Sequence, residues 1–139
     1  MQQEILEAAV AALRADASLM TALGGDATRV GPIVEDEERR IPSVRYQVIS
    51  DTEEETMNPV LVQFDYWAQG LVAAMQIERR IRTALTGRTR KAWSLPGGGS
   101  ISMWALYTDS RSMTDPTPGV VHRSLDFRFV PVRADLTTP

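Results

Sequence analysis

Three segments of the sequence alternate apolar and polar residues with a period of two. They are SVRYQVIS at 43–50, PVLVQFDYWAQ at 59–69 and VVHRSLDFRFVPVR at 120–133. Successive side chains of a β-strand point to opposite faces of its sheet, so this period predicts strands with one buried face. ISMWALYTD at 101–109 predicts another strand, and ATRVGPIV at 27–34 a short strand or connector. The chain is therefore predicted to form a sheet with an apolar face, on which other elements must pack.

Two other stretches repeat apolar residues every three or four positions, which is the period of a helix with one buried stripe. The first runs from Glu4 to Leu13 and the second from Leu71 to Leu85. After the first helix, Asp16 or Ser18 can cap a second short helical turn. Gly87 follows the second helix, where a glycine commonly ends one. We predict that these helices pack on the apolar face of the sheet.

The order of the segments is helix, strands, helix, strands. This order predicts an α+β fold with a largely antiparallel sheet packed against two main helices. Residues Asp51 to Asn58 separate two predicted strands and exceed a tight turn, so we expect a projecting β-hairpin. The 139 residues contain no repeat or linker, which fits one domain over 1–139. The last few residues are expected to form a loose tail.

Composition excludes several classes of function. The absence of cysteine rules out disulfides, thiolate metal sites and cysteine nucleophiles. A net charge of −3 gives no electrostatic reason for tight binding to nucleic acid or anionic lipid. No apolar run approaches the roughly 20 residues that a membrane span needs. Glu7, Arg14 and Asp16 interrupt the N-terminal stretch, unlike a signal peptide, so we expect synthesis and folding in the cytoplasm.

The segment VVHRSLDFRF at 120–129 contains His122, Ser124 and Asp126, the residue types of a catalytic triad, and His122 is the only histidine. A strand rises about 3.3 Å per residue, so alternate side chains stand about 6.6 Å apart and project in parallel. A triad needs contacts of about 3 Å among converging groups. The spacing therefore favours a solvated or interface-facing strand surface. A small hydrolase using His122 is a distant alternative.

Two acidic loops are candidate metal sites, because clustered carboxylates suit calcium and magnesium. Neither has the ligand alternation or central glycine of an EF-hand, so solvated charge runs are favoured and no metal is predicted. PGGGS at 96–100 lacks the Lys-Ser/Thr of a phosphate loop, so it predicts a flexible connection and no cofactor. The acidic residues are Glu35, Asp36, Glu37 and Glu38 in the first loop, and Asp51, Glu53, Glu54 and Glu55 in the second.

RTRKAW at 88–93 is a basic segment beside an aromatic residue, which resembles a small nucleic-acid contact. Its place after the second helix also suits the negative end of the helix dipole. A protein contact is a further interpretation, because the acidic loops have no evident basic partner in their own elements. Three tryptophans also favour a protein contact, because tryptophan is enriched at interfaces, although it is more often a core residue. They are Trp67, Trp93 and Trp104.

Taken in chain order, several pieces resemble the tail-completion family of long-tailed bacteriophages. They are the first helix, IPSVRYQVIS at 41–50, VLVQFDYWAQGLVAAMQIERRIRTALTG at 60–87 and VHRSLDFRF at 121–129. The family comprises small tail-terminator or tail-to-head joining proteins, also present in prophages and gene-transfer particles. The sharpest pieces are FDYWA at 64–68, which leads into the second helix, and RSLDF at 123–127. These are packing patterns and not catalytic motifs.

The resemblance implies a structural virion protein without enzymatic activity or cofactor. It implies a homo-oligomeric ring, a hexamer, that caps the tail tube at the head-proximal end and offers a docking surface to the neck. The implied partners are other copies of the chain, the tail tube protein and a neck or head-completion protein, with DNA only passing through the lumen and no membrane. Assembly is expected in the host cytoplasm. Another neck or tail-tube component of the same virion is the alternative.

In such a ring, each contact is head-to-tail and needs two complementary surfaces. The acidic residues of either loop are therefore predicted to face basic residues of the next copy. The basic residues proposed for this contact are Arg88, Arg90 and Lys91.

Overall fold

Apart from one short edge strand, helices and strands occur where the sequence predicts them. The computed structural model describes residues 2–33, 40–49, 59–86 and 91–132. In chain order the elements are helices α1 (Gln2–Ala15) and α2 (Ala17–Ala22), a 3₁₀ turn (Ala27–Arg29), strands β1 (Val30–Pro32), β2 (Ser43–Val48) and β3 (Val60–Gln69), helix α3 (Leu71–Thr86), and strands β4 (Lys91–Ser94), β5 (Ser100–Met113) and β6 (Val120–Pro131).

The strands form one sheet in the order β1-β2-β3-β6-β5-β4. Neighbouring strands are antiparallel except β1 and β2, which are parallel. Strands β2 and β3 form the predicted hairpin, with Ser43 opposite Trp67 and Val48 opposite Val62. Its loop at 51–58 lies outside the described residues. The predicted α+β class with a largely antiparallel sheet is confirmed.

Local capping determines where α2 begins and ends. The carboxylate of Asp16 accepts a hydrogen bond from the backbone N–H of Leu19 at 2.8 Å, so Asp16 is the cap and Ser18 is not. After α2, Gly24 and Gly25 have φ values of +82° and +78°. Glycine adopts this left-handed region without the steric cost that a Cβ atom would bring. The chain can therefore turn sharply from α2 towards the edge strand β1.

The helices pack against one face of the sheet, and the hydrophobic core lies between them. Phe64 is fully buried there, and its ring meets those of Phe127 and Phe129 edge-on, with centroids 5.7 and 6.5 Å apart. Edge-to-face contacts of this kind are favourable arrangements of aromatic rings. The buried stripe of α3 has the predicted helical spacing and consists of Ala74, Ile77, Ile81, Ala84 and Leu85.

The segment KAWS at 91–94 forms the edge strand β4, which the sequence analysis did not predict. Trp93 is 1% exposed, and its Nε1 donates a hydrogen bond to the Met103 carbonyl at 3.1 Å. Ser94 lies opposite Ser100, so the glycines at 97–99 belong to a hairpin turn between β4 and β5. A strand of four residues shows too little alternation to be recognised beside a run of basic residues. Trp93 therefore has a core role.

Candidate functional site

The sheet face turned away from the helices carries a cluster of buried polar side chains. Asp65, His122, Ser124 and Asp126 are 6%, 8%, 0% and 7% exposed. The predicted division of β6 into an apolar and a polar face is confirmed. The prediction of a solvated or interface-facing surface is wrong for its three triad-like residues, which are buried within the subunit, whereas Arg128 near the end of β6 is exposed. The reason is that polar side chains of the neighbouring strands close over them.

The carboxylate of Asp65 lies at the centre of this cluster. Its Oδ1 accepts hydrogen bonds from the Ser124 hydroxyl at 2.6 Å and from Gln63 Nε2 at 2.7 Å, and its Oδ2 lies 3.1 Å from His122 Nε2. Burial alone would raise the pKa of Asp65, but the hydrogen bonds from His122, Ser124 and Gln63 lower it below its ordinary value. Asp65 is therefore an anion that accepts hydrogen bonds from three side chains, and the donor from His122 is its Nε2–H group.

An irregularity in β5 brings an arginine to the same face. The register between β5 and β6 shifts between Tyr107 and Asp109, which makes a bulge. Beyond it, Arg111 lies opposite Ser124 on the polar face. Without the bulge, the alternation of β5 would direct Arg111 to the helix side of the sheet. The sequence gives no local signal for this shift, so the arginine was not predicted as part of the site.

Arg111 makes a paired contact with the second buried carboxylate. Its Nη1 lies 2.8 Å from Asp126 Oδ2, and its Nη2 donates to Asp126 Oδ1 at 3.2 Å and to Gln63 Oε1 at 3.2 Å. The hydrogen bonds with Asp126 raise the pKa of the Arg111 guanidinium further above its ordinary value. Gln63 donates to Asp65 and accepts from Arg111, so it links the two carboxylates through the guanidinium, and the polar cluster connects β3, β5 and β6.

The order of contacts excludes nucleophilic catalysis by this cluster. In a Ser-His-acid triad the imidazole lies between hydroxyl and carboxylate and removes the hydroxyl proton. Here the carboxylate of Asp65 lies between Ser124 and His122, and the hydroxyl donates to it. The His122 ring stacks on Trp67, with centroids 4.1 Å apart and an interplanar angle of 23°. The cluster holds strands together and contains no activated nucleophile.

The helix side of the molecule carries a groove of about 550 Å³ between α3, the end of β3 and the start of β6. Within it, Glu78 accepts a hydrogen bond from the Tyr66 hydroxyl at 2.9 Å and pairs with Arg123 Nε at 2.8 Å. Burial, and then the hydrogen bond to Glu78, raise the pKa of Tyr66 above its ordinary value. The hydroxyl therefore stays protonated, and Glu78 links it to the guanidinium of Arg123.

The outer face of α3 is apolar near its beginning and basic further along. Leu71, Val72 and Met75 are 67%, 72% and 62% exposed. Arg79 and Arg82 follow along the groove, about one and two turns beyond Met75. We call these five residues the α3 surface. Clustered exposed apolar residues mark interaction sites, whereas scattered single ones do not.

A second exposed apolar pair lies on the opposite face of the sheet. Trp104 and Leu106 of β5 are 41% and 46% exposed, and Leu106 lies opposite the exposed Arg128 of β6. Among the three tryptophans, Trp104 thus has a position suited to an interface. Trp67 is 3% exposed within the polar cluster, and Trp93 belongs to the core.

The residues predicted to join copies lie outside the described part of the chain, apart from Lys91, whose backbone begins β4. Their role stays a prediction. The residues outside are Glu35, Asp36, Glu37, Glu38, Asp51, Glu53, Glu54, Glu55, Arg88 and Arg90.

Neither a candidate metal-binding group nor a membrane-spanning helix is found in residues 2–33, 40–49, 59–86 and 91–132. No group of three His, Cys, Asp or Glu side chains in these ranges is arranged to hold a metal ion. None of their helices combines the length and apolar character needed to cross a bilayer.

Exposed clusters of apolar residues such as these mark sites of interaction with other molecules. The family described as tail completion protein gp17 matches residues 7–131. The chain therefore belongs to this family of structural phage tail proteins, and it is not an enzyme.

A solved structure has the same fold. It is a chain in the virion of a native gene transfer agent particle, with a TM-score of 0.59 and 18% identity over 88% of this chain and 90% of that chain. No curated protein sequence matches the chain significantly.

Proposed function

We propose that the protein is a tail terminator, whose copies close into a ring on the finished tail tube. The ring, a hexamer, stops tube growth at the head-proximal end and gives the neck or head-completion protein a docking surface. The observation that carries this proposal is the membership of residues 7–131 in the tail completion family. The domain acts as one unit over 1–139 in this proposal.

The placement of the exposed apolar residues supports a ring. A closed ring is built from head-to-tail contacts, so two different surfaces of each copy must fit together, whereas a two-fold dimer needs only one self-complementary patch. The α3 surface lies on the helix side of the sheet, and Trp104 and Leu106 lie on the other side. The subunit therefore has two distinct surfaces for a head-to-tail contact.

The charge of the chain agrees with a passage for DNA. A net charge of −3 leaves the subunit without the basic excess that binds phosphates tightly. DNA would pass through the lumen of the ring without being retained there.

The test is electron microscopy of particles made by a phage or prophage from which this gene alone is removed. We expect tail tubes of irregular, excessive length that do not join heads, and complementation should restore uniform tails. Uniform tails joined to heads in the deletion would contradict the proposal. Absence of tail tubes would instead assign the protein to the tube itself.

A further inference from the structure

We propose that a hollow between α2 and α3 binds an acidic segment of another virion protein. The hollow has a volume of about 450 Å³ and borders the α3 surface, with which it shares Arg79. This inference rests on the proposed role in the virion, and it adds the chemistry by which a second protein is recognised. The lining includes Ala17, Ser18 and Ala22 of α2 and Gln76, Arg79 and Arg80 of α3.

The hollow contains two cations without a carboxylate partner. Arg79 is exposed and Arg80 is half-buried, and neither guanidinium forms a salt bridge or hydrogen bond within the ranges that the structure describes. Glu78 is the acidic residue of α3, but it pairs with Arg123 and lies about 200° around the helix axis from Arg80. Partial burial of an unpaired charge is unfavourable, so an anion in the hollow would stabilise Arg80.

Helix α2 does not supply this anion. Its six residues carry no charge, and the carboxylate of Asp16 just before them caps the helix by accepting from the N–H of Leu19 at 2.8 Å. The side chains of Ser18 and Gln76 have no hydrogen-bond partner among the described residues. Two guanidinium groups, a side-chain amide and a hydroxyl therefore offer mostly N–H and O–H donors to a ligand.

A carboxylate of a polypeptide fits this set of donors best. A guanidinium binds a carboxylate through two parallel hydrogen bonds, and such charged bonds are stronger than neutral ones. The short side chains of Ala17 and Ala22 leave room for the backbone of a bound segment. DNA is a poorer match, because tight binding to it requires contacts to several phosphates and the chain has a net charge of −3.

Arg80 separates this site from the proposed ring contact. The exposed surfaces that support the ring are the α3 surface and the pair Trp104 and Leu106. Of these residues, only Arg79 also lines the hollow. Arg80 belongs to neither surface, so its substitution tests the binding of another protein without removing a residue assigned to ring closure.

The experiment replaces the gene in its phage or prophage by the Arg80→Glu variant and counts infectious particles. We expect the titre to fall about tenfold or more, because the new carboxylate repels the acidic segment. Second-site suppressors should replace an acidic residue of another virion protein by a neutral or basic one. Circular dichroism and sedimentation velocity on the purified variant should match the parent protein.

A second variant, Ser18→Glu, places a carboxylate in the hollow itself. Ser18 is exposed, so the substitution is compatible with the fold. The new carboxylate should pair with the arginines, exclude the acidic segment and lower the titre, while the free energy of unfolding does not decrease. The matched control is Gln3→Glu, which adds the same charge to the exposed first turn of α1 and should leave the titre unchanged.

Several results would overturn the proposal. One is a parental titre for Arg80→Glu. Suppressors confined to this gene, or loss of rings that the parent protein forms, would assign the hollow to a contact between copies. Binding of duplex DNA by the parent but not by Arg80→Glu would assign it to nucleic acid. The terminator role is tested separately, because uniform tails joined to heads in the deletion contradict that role whatever Arg80→Glu does.

Discussion

Asp65 of strand β3 and Arg79 of helix α3 are both charged side chains, but they lie on opposite sides of the sheet and differ in their contacts. Asp65 is 6% exposed, and its carboxylate accepts hydrogen bonds from three neighbouring side chains. Arg79 is exposed on α3 and has no carboxylate partner within the ranges that the structure describes. The two faces of the sheet therefore use charge for different purposes.

This difference distinguishes residues that stabilise the subunit from residues that are available to a partner. A buried polar group is costly unless its partners are in place, so the polar cluster stabilises the subunit only while β3, β5 and β6 keep their register. An exposed charge or apolar residue contributes little to the folded subunit and is available to a partner. Substitutions on the polar face should therefore affect unfolding, and substitutions on the α3 surface should affect assembly.

The largest effect is expected for Asp65→Ala. The substitution leaves the buried donors of His122, Ser124 and Gln63 without their acceptor, which should lower the free energy of unfolding by about 3 kcal/mol. Urea denaturation of the variant measures this loss. Asp109→Ala is the control: its carboxylate is 61% exposed and pairs with Arg111 at 3.1 Å at the rim of the cluster, so its loss should change the free energy by less than about 1 kcal/mol. Equal losses in the two variants would contradict the distinction between the faces.

The sequence was sufficient to predict which side chains of β6 share a face of the sheet, but not that the polar ones are buried. Alternation in β6 placed His122, Ser124 and Asp126 on one face, which is correct. Their burial depends on Trp67 and Asp65 of β3, which pair with β6 across more than fifty residues of chain. The local period of a strand carries no information about such pairing.

Two other features required tertiary information. Arg111 joins the site only because β5 has a bulge after Tyr107, and bulges leave no clear mark in the alternation. Strand β4 has only four residues and follows a run of basic residues, so its alternation was not recognised. Its Trp93 is part of the hydrophobic core. The helices were predicted well, because the stripe from Ala74 to Leu85 repeats over several turns of α3.

A smaller effect is expected from pH. The pKa of Asp65 is lower in the folded chain than its ordinary value of 3.8, so the carboxylate stabilises the fold above that value. This stabilisation is lost as the pH falls through the lower, folded pKa. The unfolding free energy of the parent should therefore decrease more steeply than that of Asp65→Asn between about pH 5 and about pH 2.

The comparison with Asp65→Asn isolates this one group. Asp26, whose pKa is also lowered by hydrogen bonds from Thr28, keeps its contribution in both proteins. If the free energies of unfolding of parent and variant change with pH in the same way, the pH dependence does not come from Asp65.

The smallest effect on stability is expected for Met75→Ser. Met75 is 62% exposed, so the substitution should change the free energy of unfolding by less than about 0.5 kcal/mol. The same substitution removes apolar area from the α3 surface and should weaken ring assembly, as measured by light scattering. A Met75→Ser variant that is less stable but assembles normally would contradict the assignment of assembly to the α3 surface.

Hydrogen exchange with mass spectrometry on the parent protein, below and above the concentration at which it assembles, tests the division of roles most directly. We expect peptides from 71–82 to gain protection on assembly, because they carry the exposed apolar and basic residues of the α3 surface. Peptides from 63–67 and 122–126 should not change, because their amides lie in paired central strands around the polar cluster. Protection gained in those strands, without any change on α3, would contradict the account.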